Sequence, residues 1–185
     1  MIRYLICILL GACTLACSNS APATAPEKDA ATRAAIEERL IGELSPSTDR
    51  AGQERNAIIN RAIDQLYDVQ AAPEGYFYEI LTPGEFGKLV DGDIIRAHYQ
   101  GRFLDGTVFD DSRKRGKKLR FFVGELIPAW NLGLQQVRPG GAIRIITPSE
   151  LAYGAEGLTG PRGDTLVPAH TVLEFVIDEI ELLEE

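Results

Sequence analysis

The chain has 185 residues, 45% of them hydrophobic, and a net charge of −8, which suits one compact domain with an appendage. The acidic balance argues against nucleic acid as a partner, because phosphate binding needs clustered Lys and Arg. The one dense basic run, Arg113-Lys114-Arg115 with Lys117 and Lys118, lies in a Gly-containing loop and reads as a solvated tip.

Arg3 gives a short positive start, and Tyr4 to Ala16 is an uncharged, mostly apolar run. It is shorter than the ~20 residues a bilayer span needs, so residues 1–17 read as a secretory signal. The cysteines Cys7, Cys13 and Cys17 all lie within or at the end of this run, and the remainder can hold no internal disulfide. Leu10-Gly-Ala-Cys13 and Thr14-Leu-Ala-Cys17 each resemble part of a bacterial lipobox, in which the thiol is lipidated and becomes the mature N-terminus. Cys13 has the better preceding residues; Cys17 leaves a more normal signal length and a Ser-rich tether, and is preferred. An ordinary cleaved signal without lipid is the alternative. Neither cysteine is followed by Asp, which in the resembling lipoproteins favours the outer membrane, facing the periplasm of a bacterial envelope.

Residues 18–30 are rich in Ser, Ala, Pro and Thr and read as a flexible tether. Residues 31–72 carry two helical patterns: Ile36, Leu40, Ile41 and Leu44, broken by Ser45-Pro46-Ser47, then Ile58, Ile59, Ala62, Ile63 and Leu66 within Gln53 to Tyr67. Helices of this length cannot bury such stripes alone. They must pack on the main domain, on each other or on a second copy of the chain, so a homodimer through them is one expectation.

From Pro73-Glu-Gly75 to residue 185 the period becomes alternating. Tyr76 to Leu81 reads as a strand and Pro83-Gly84 as a turn. Ile94 to Phe103 is a strand with Ile95, Ala97 and Tyr99 on one side and Arg96, His98 and Gln100 on the other. Asp105-Gly106 supplies the positive-φ chemistry of a tight turn, and Thr107-Val108-Phe109 returns. Tyr99 and Phe109 are then expected to face one cavity, with the carboxylates of Asp110 and Asp111 at its rim, the latter solvated. Taken locally, the same stretch also fits a plain hairpin with charged ends.

Leu119 to Val123 is a further strand, and Ile127-Pro128-Ala129-Trp130 starts a helix, with Pro in the first turn where its missing N–H costs nothing. Pro139-Gly140-Gly141 is a turn and Ala142 to Thr147 a strand. Thr171 to Leu183 is the last strand, whose core phase slips between Ile177 and Ile180 and predicts a bulge. The sum is an α+β fold, an antiparallel β half-barrel wrapped around a short helix and preceded by a short helical segment.

Four stretches in order, HYQGRFLDGTVFDDS, LRFFVGELIPAW, ITPSELAYG and VPAHTVLEF, resemble an FKBP-type peptidyl-prolyl cis/trans isomerase over about Tyr76 to Leu183. Each is weak alone; together and in sequence they are specific. The resemblance implies a proline pocket made by Tyr99, Phe109, Asp110, Phe121, Leu126, Ile127, Trp130, Tyr153, Val167 and Phe175. It makes Trp130 the floor, Tyr153 a donor to a substrate carbonyl, the Ile127 N–H a second donor, and Asp110 an orienting carboxylate. A lone Trp is more often plain core, and a Tyr before Gly is often a loop corner; the motif order lifts both above that reading.

The resemblance also implies proline-containing or unfolded polypeptides as substrates, macrolides as inhibitors, and no cofactor. His98 and His170 are far apart and form no Cys/His cluster with metal-ligand spacing, and His170 reads as a sheet or rim residue. Leu119 stands where the family commonly has an aromatic, and Leu151 where Tyr is common. The loop from Gly154 to Val167 is longer than in minimal domains, and in the family it overhangs the pocket. A chaperone or binding module using the same pocket without turnover is the competing class, and retention of Tyr99, Phe109, Asp110, Trp130 and Tyr153 favours the enzyme.

Overall fold

The computed structural model describes residues 29–183. The expected signal, the lipidation candidates Cys13 and Cys17, and nearly all of the tether lie outside them. The first helix, α1 (Ala30–Ile41), is N-capped by Asp29, whose carboxylate accepts the Thr32 N–H at 2.8 Å. The second, α2 (Arg50–Gln65), is capped in the same way by Asp49, which accepts from Gly52 N–H at 2.8 Å. That cap starts α2 three residues before the expected Gln53. The helix ends at Leu66, held in the left-handed region at φ 55°.

The chain then forms β1 (Gln70–Ala71), β2 (Phe77–Thr82), β3 (Ile94–Phe103), β4 (Val108–Asp111), β5 (Leu119–Phe122), α3 (Pro128–Leu134) and β6 (Ala142–Thr147). A 3₁₀ turn (Ser149–Leu151) precedes β7 (Leu158–Thr159), β8 (Thr165–Val167) and β9 (Leu173–Leu182). The main sheet is antiparallel, in the order β1-β2-β6-β9-β3-β4, with β5 also pairing β3. β5 takes the first half of β3, Ile94 to Ala97, and β4 takes Gln100 to Arg102. One edge of β3 thus carries two short strands that curl the sheet around α3.

The predicted bulge is in β9. Arg96 pairs with Glu181 but His98 with Asp178, and the extra residue is taken up at Glu179, φ 48°. It lets both Ile177 and Ile180 face the core, where each is buried. Inside the curl, Gly133 of α3 lies so close to β6 that a Cβ there would stand 2.4 Å from Ile145 Cδ1. Glycine therefore fixes the depth at which the helix and its Trp130 sit.

The helical stripes pack on the other face of the same sheet. Ile36 and Leu40 of α1 and Ile58, Ile59 and Ala62 of α2 form a second core with Val69, Phe77, Ile146 and Val172. These side chains thus pack within their own chain, the first of the three expected arrangements; of the two stripes, Ile41 and Leu44 remain exposed. A polar layer crosses the same interface. Glu174 on β9, fully buried, accepts from Arg61 of α2 at 3.1 Å and faces Arg144 of β6 at 3.4 Å. Arg144 in turn pairs with Glu79 and stacks 3.5 Å over the Tyr67 ring. Removing one member would leave a charge buried without its partner, the costly case for such networks.

Candidate active site

A cavity of about 430 Å³ opens between β3, β4, β9, the start of α3 and the loop after the 3₁₀ turn. It is lined by Tyr99, Phe109, Leu126, Ile127, Trp130 and Phe175, with Asp110 and Tyr153 beside them. Leu119 and Glu125 complete the wall.

The aromatic rings brace one another edge to face. Trp130 meets Tyr99 at 5.0 Å and 81°, and Phe175 at 5.4 Å and 85°; Phe175 meets Phe109 at 5.9 Å and 82°. Each such pair contributes about 0.5–1.5 kcal/mol beyond its buried area. The result is a rigid apolar wall. Phe109 holds its place because β3 has Gly101 opposite: a Cβ there would lie 2.6 Å from Phe109 Cζ.

Polar order is confined to the rim. The Tyr99 hydroxyl donates to Asp110 Oδ2 at 2.5 Å and accepts from Arg115 Nη2 at 2.6 Å, while Arg115 Nη1 pairs with Asp110 Oδ1. The guanidinium also sits 5.3 Å over the Tyr99 ring. Burial, reinforced by the hydrogen bond to Asp110, pushes the Tyr99 phenol from 10.0 up to about 12. Burial also raises Tyr153, with the Asp110 charge adding to it. Both phenols are therefore neutral donors at neutral pH.

The backbone around α3 is held by a side chain. Asn131 Nδ2 donates to the carbonyls of Gly124 and Leu126 at 3.1 and 2.8 Å, and its Oδ1 accepts their N–H groups at 3.1 and 3.3 Å. This latch presents Leu126 and Ile127 to the cavity. Ile127 is the N-cap residue of α3, at the helix end where amides lack intrahelical acceptors.

A family model described as FKBP-type peptidyl-prolyl cis-trans isomerase matches residues 87–182, more than half of the chain. The chain belongs to that family. It is 32% identical over 146 residues to the FKBP-type isomerase FkpA of Escherichia coli K12, covering 75% of this chain and 51% of FkpA. It is 37% identical over 97 residues to the outer membrane protein MIP of Legionella longbeachae, covering 51% of this chain and 42% of that protein. The chain thus spans about half the length of the curated relatives it matches. A crystal structure of a peptidyl-prolyl cis-trans isomerase from Pseudomonas syringae pv. tomato aligns with TM-score 0.58 and 30% identity, covering 76% of this chain and 96% of that one.

Against the FKBP-type pattern, eight of the ten expected pocket residues line the cavity, and Phe121 and Val167 do not. Phe121 is buried behind the floor, its ring 5.7 Å from Trp130. Val167 is buried in the main core beneath the β7–β8 hairpin. That hairpin is the long loop of this FKBP-type chain, and no residue from 154 to 167 is among those lining the cavity.

The basic run is exposed from Arg113 to Lys117, as expected of a solvated loop, yet it is tied to its surroundings: besides Arg115 at the rim, Arg113 binds Asp178 and Glu179 at 2.8 and 2.9 Å, and Lys118 binds Glu181 at 2.6 Å. Opposite charge on the β9 bulge draws the run back onto the sheet. Asp111 accepts from Gln100 Nε2 and the Arg113 N–H, both at 2.8 Å, so it caps the loop; the Gln100 bond leads in lowering its pKa. His98 meets the Ser112 hydroxyl at 2.9 Å. His170 stands exposed on a loop at φ 56°. Sequence reasoning missed Arg115, Asn131, Gly101 and Glu125, whose roles depend on contacts across turns.

Proposed function

We propose that the chain catalyses cis/trans isomerisation of X-Pro peptide bonds in envelope polypeptides, with the aromatic cavity as its active site. The observation that carries this reading is an apolar cavity of about 430 Å³ walled by Tyr99, Phe109, Trp130 and Phe175, with the Tyr99–Asp110–Arg115 cluster at its rim. The rotation barrier of ~18–20 kcal/mol comes from amide resonance. Twisting the bond localises the nitrogen lone pair and makes the carbonyl less polar. An apolar wall disfavours the planar, more polar ground state and accepts the prolyl ring. Tyr153 and the Ile127 N–H donate to carbonyls flanking the ring, and Asp110, clamped by Tyr99 and Arg115, orients the rim. No proton moves in this mechanism.

Uncatalysed isomerisation takes tens to hundreds of seconds, so chains arriving unfolded in an envelope compartment are natural substrates. The Legionella relative named as an outer membrane protein and the N-terminal run ending in Thr14-Leu-Ala-Cys17 support an envelope location with a lipid on Cys17, facing the periplasm. Mass spectrometry of the membrane-extracted chain should find the diacylglyceryl group on Cys17 and lose it in Cys17→Ser. Macrolides that mimic a prolyl ring should compete for the same cavity, with Leu119 weakening one wall. With the helical stripes engaged on their own sheet, the proposed working unit is a single chain, and a dimer peak in sedimentation would contradict it.

The deciding experiment is isomerisation of an Xaa-Pro tetrapeptide by the chain lacking residues 1–17, beside an Asp110→Ala, Tyr153→Phe double variant. Acceleration that the double variant loses supports the enzyme. A folded wild type without acceleration refutes it and leaves the chaperone reading, measured by suppression of aggregation.

A further inference from the structure

We propose that Glu54 on α2 is a positioning residue for Tyr153, so that the docked helical segment sets the geometry of the cavity. The inference rests on the isomerase reading for its consequence, though not for its geometry. Glu54 is buried, and it commits both carboxylate oxygens to one residue. Oε2 accepts the Ser149 N–H at 2.7 Å and Oε1 accepts the Ser149 hydroxyl at 2.7 Å. Charge-assisted bonds of this kind are about twice as strong as neutral ones, and a carboxylate is costly to bury without them.

Ser149 hands the constraint on. Its carbonyl accepts the N–H groups of Ala152 at 3.0 Å and Gly154 at 2.8 Å, the two residues that flank Tyr153. The Gly154 carbonyl accepts the His170 N–H at 2.8 Å, and the imidazole of His170 is met by Arg50, also on α2. The backbone on either side of Tyr153 is thereby referenced to the first turns of one helix.

Apolar packing does not supply the same link. A second cavity, of about 360 Å³, opens between the start of α2 and the 3₁₀ turn, lined by Ala51, Glu54, Pro148 and Leu151 among others. The carboxylate bridges beside that gap. For simple attachment of the helix, the buried stripe of Ile58, Ile59 and Ala62 already suffices. The polar bridge is directed at the Tyr153 loop.

The test combines turnover with amide hydrogen exchange in the wild type, Glu54→Gln, Tyr153→Phe and the double variant. A glutamine keeps the size but can accept at only one atom. Exchange at Ala152 and Gly154 should accelerate in Glu54→Gln, and kcat/KM should fall about tenfold, within the range that small misplacements of a binding group produce. In the Tyr153→Phe background the same substitution should cost little more, because the group it positions is already gone. Unchanged exchange at Gly154, or an equal fold-loss in both backgrounds, would overturn the proposal. Should Glu54→Gln fail to fold, Ser149→Ala removes only the hydroxyl half of the clamp and should show the same pattern in weaker form. An inactive wild type would refute the isomerase reading, while the exchange rates would still decide whether Glu54 fixes the loop.

Discussion

Gly101 and Tyr99, two positions apart on β3, show how single residues tune the cavity. A methyl group at Gly101 would stand 2.6 Å from Phe109 Cζ and about 3.0 Å from its Cε1, and Phe109 is pinned from the other side by Phe175. Gly101→Ala must therefore displace the ring, at a cost of roughly 1–3 kcal/mol for overpacking. We expect the Tm to fall by several degrees and kcat/KM by more than that loss of folded protein explains; equal turnover by the folded fraction would count against Phe109 as a wall. Tyr99 gives a pH prediction. Its folded pKa is raised from 10.0 to about 12, so the folded state holds the proton more tightly. That contribution to stability is complete below pH 10.0 and is lost as pH rises towards about 12. Tyr76, also raised to about 12, chiefly by burial, titrates in the same window. Denaturant midpoints should be level through neutral pH and drop between these values, and Tyr99→Phe should reduce the drop.

At the scale of elements, α3 depends on its latch. Asn131→Ala removes four hydrogen bonds to the Gly124–Leu126 loop and leaves the backbone groups it served to water. We expect loss of about 1–3 kcal/mol of stability and weaker substrate binding, seen as a raised KM with kcat less affected, because Leu126 and Ile127 lose their fixed positions. Unchanged KM would show that the loop is held by its own backbone. The latch also marks the limit of what the sequence discloses. Strands β3 and β6, the helix start at Pro128 and the β9 bulge were legible, because each leaves a periodic or proline signature within a few residues. Ile177 and Ile180 cannot both face a core at period two unless a residue is extruded between them, and Glu179 is that residue. Strands of two or three residues, such as β1, β7 and β8, show no period and could not be read. Nor could the clamps by Asn131, Arg115 and Glu54, since a side chain bonding to backbone after a turn leaves no local pattern.

For the whole molecule, the informative feature is one sheet serving two cores. Its concave face carries the cavity around Trp130; its other face carries α1 and α2. The sequence showed both apolar stripes, and their spacing alone left open whether they met this sheet or another copy. Adjacent residues of β9 make the connection: Phe175 points into the cavity while Glu174 points to Arg61 on α2. Deleting residues 29–66 would expose Phe77, Ile146 and Val172 and strip buried Glu174 of its Arg61 partner. Each large apolar side chain returned to water costs about 1.5–3 kcal/mol, while Glu174, opened to solvent by the deletion, keeps Arg144 beside it. Together the exposed apolar side chains approach the whole stability of a typical domain, about 5–15 kcal/mol. We therefore expect the remaining half-barrel to aggregate or to unfold well below the intact chain's Tm. Arg61→Leu, which removes only the ion-pair partner, should lower stability by an intermediate amount while leaving kcat/KM of the folded protein near wild type. A deletion that folds with unchanged Tm and turnover would show that the helices serve something other than the sheet they cover.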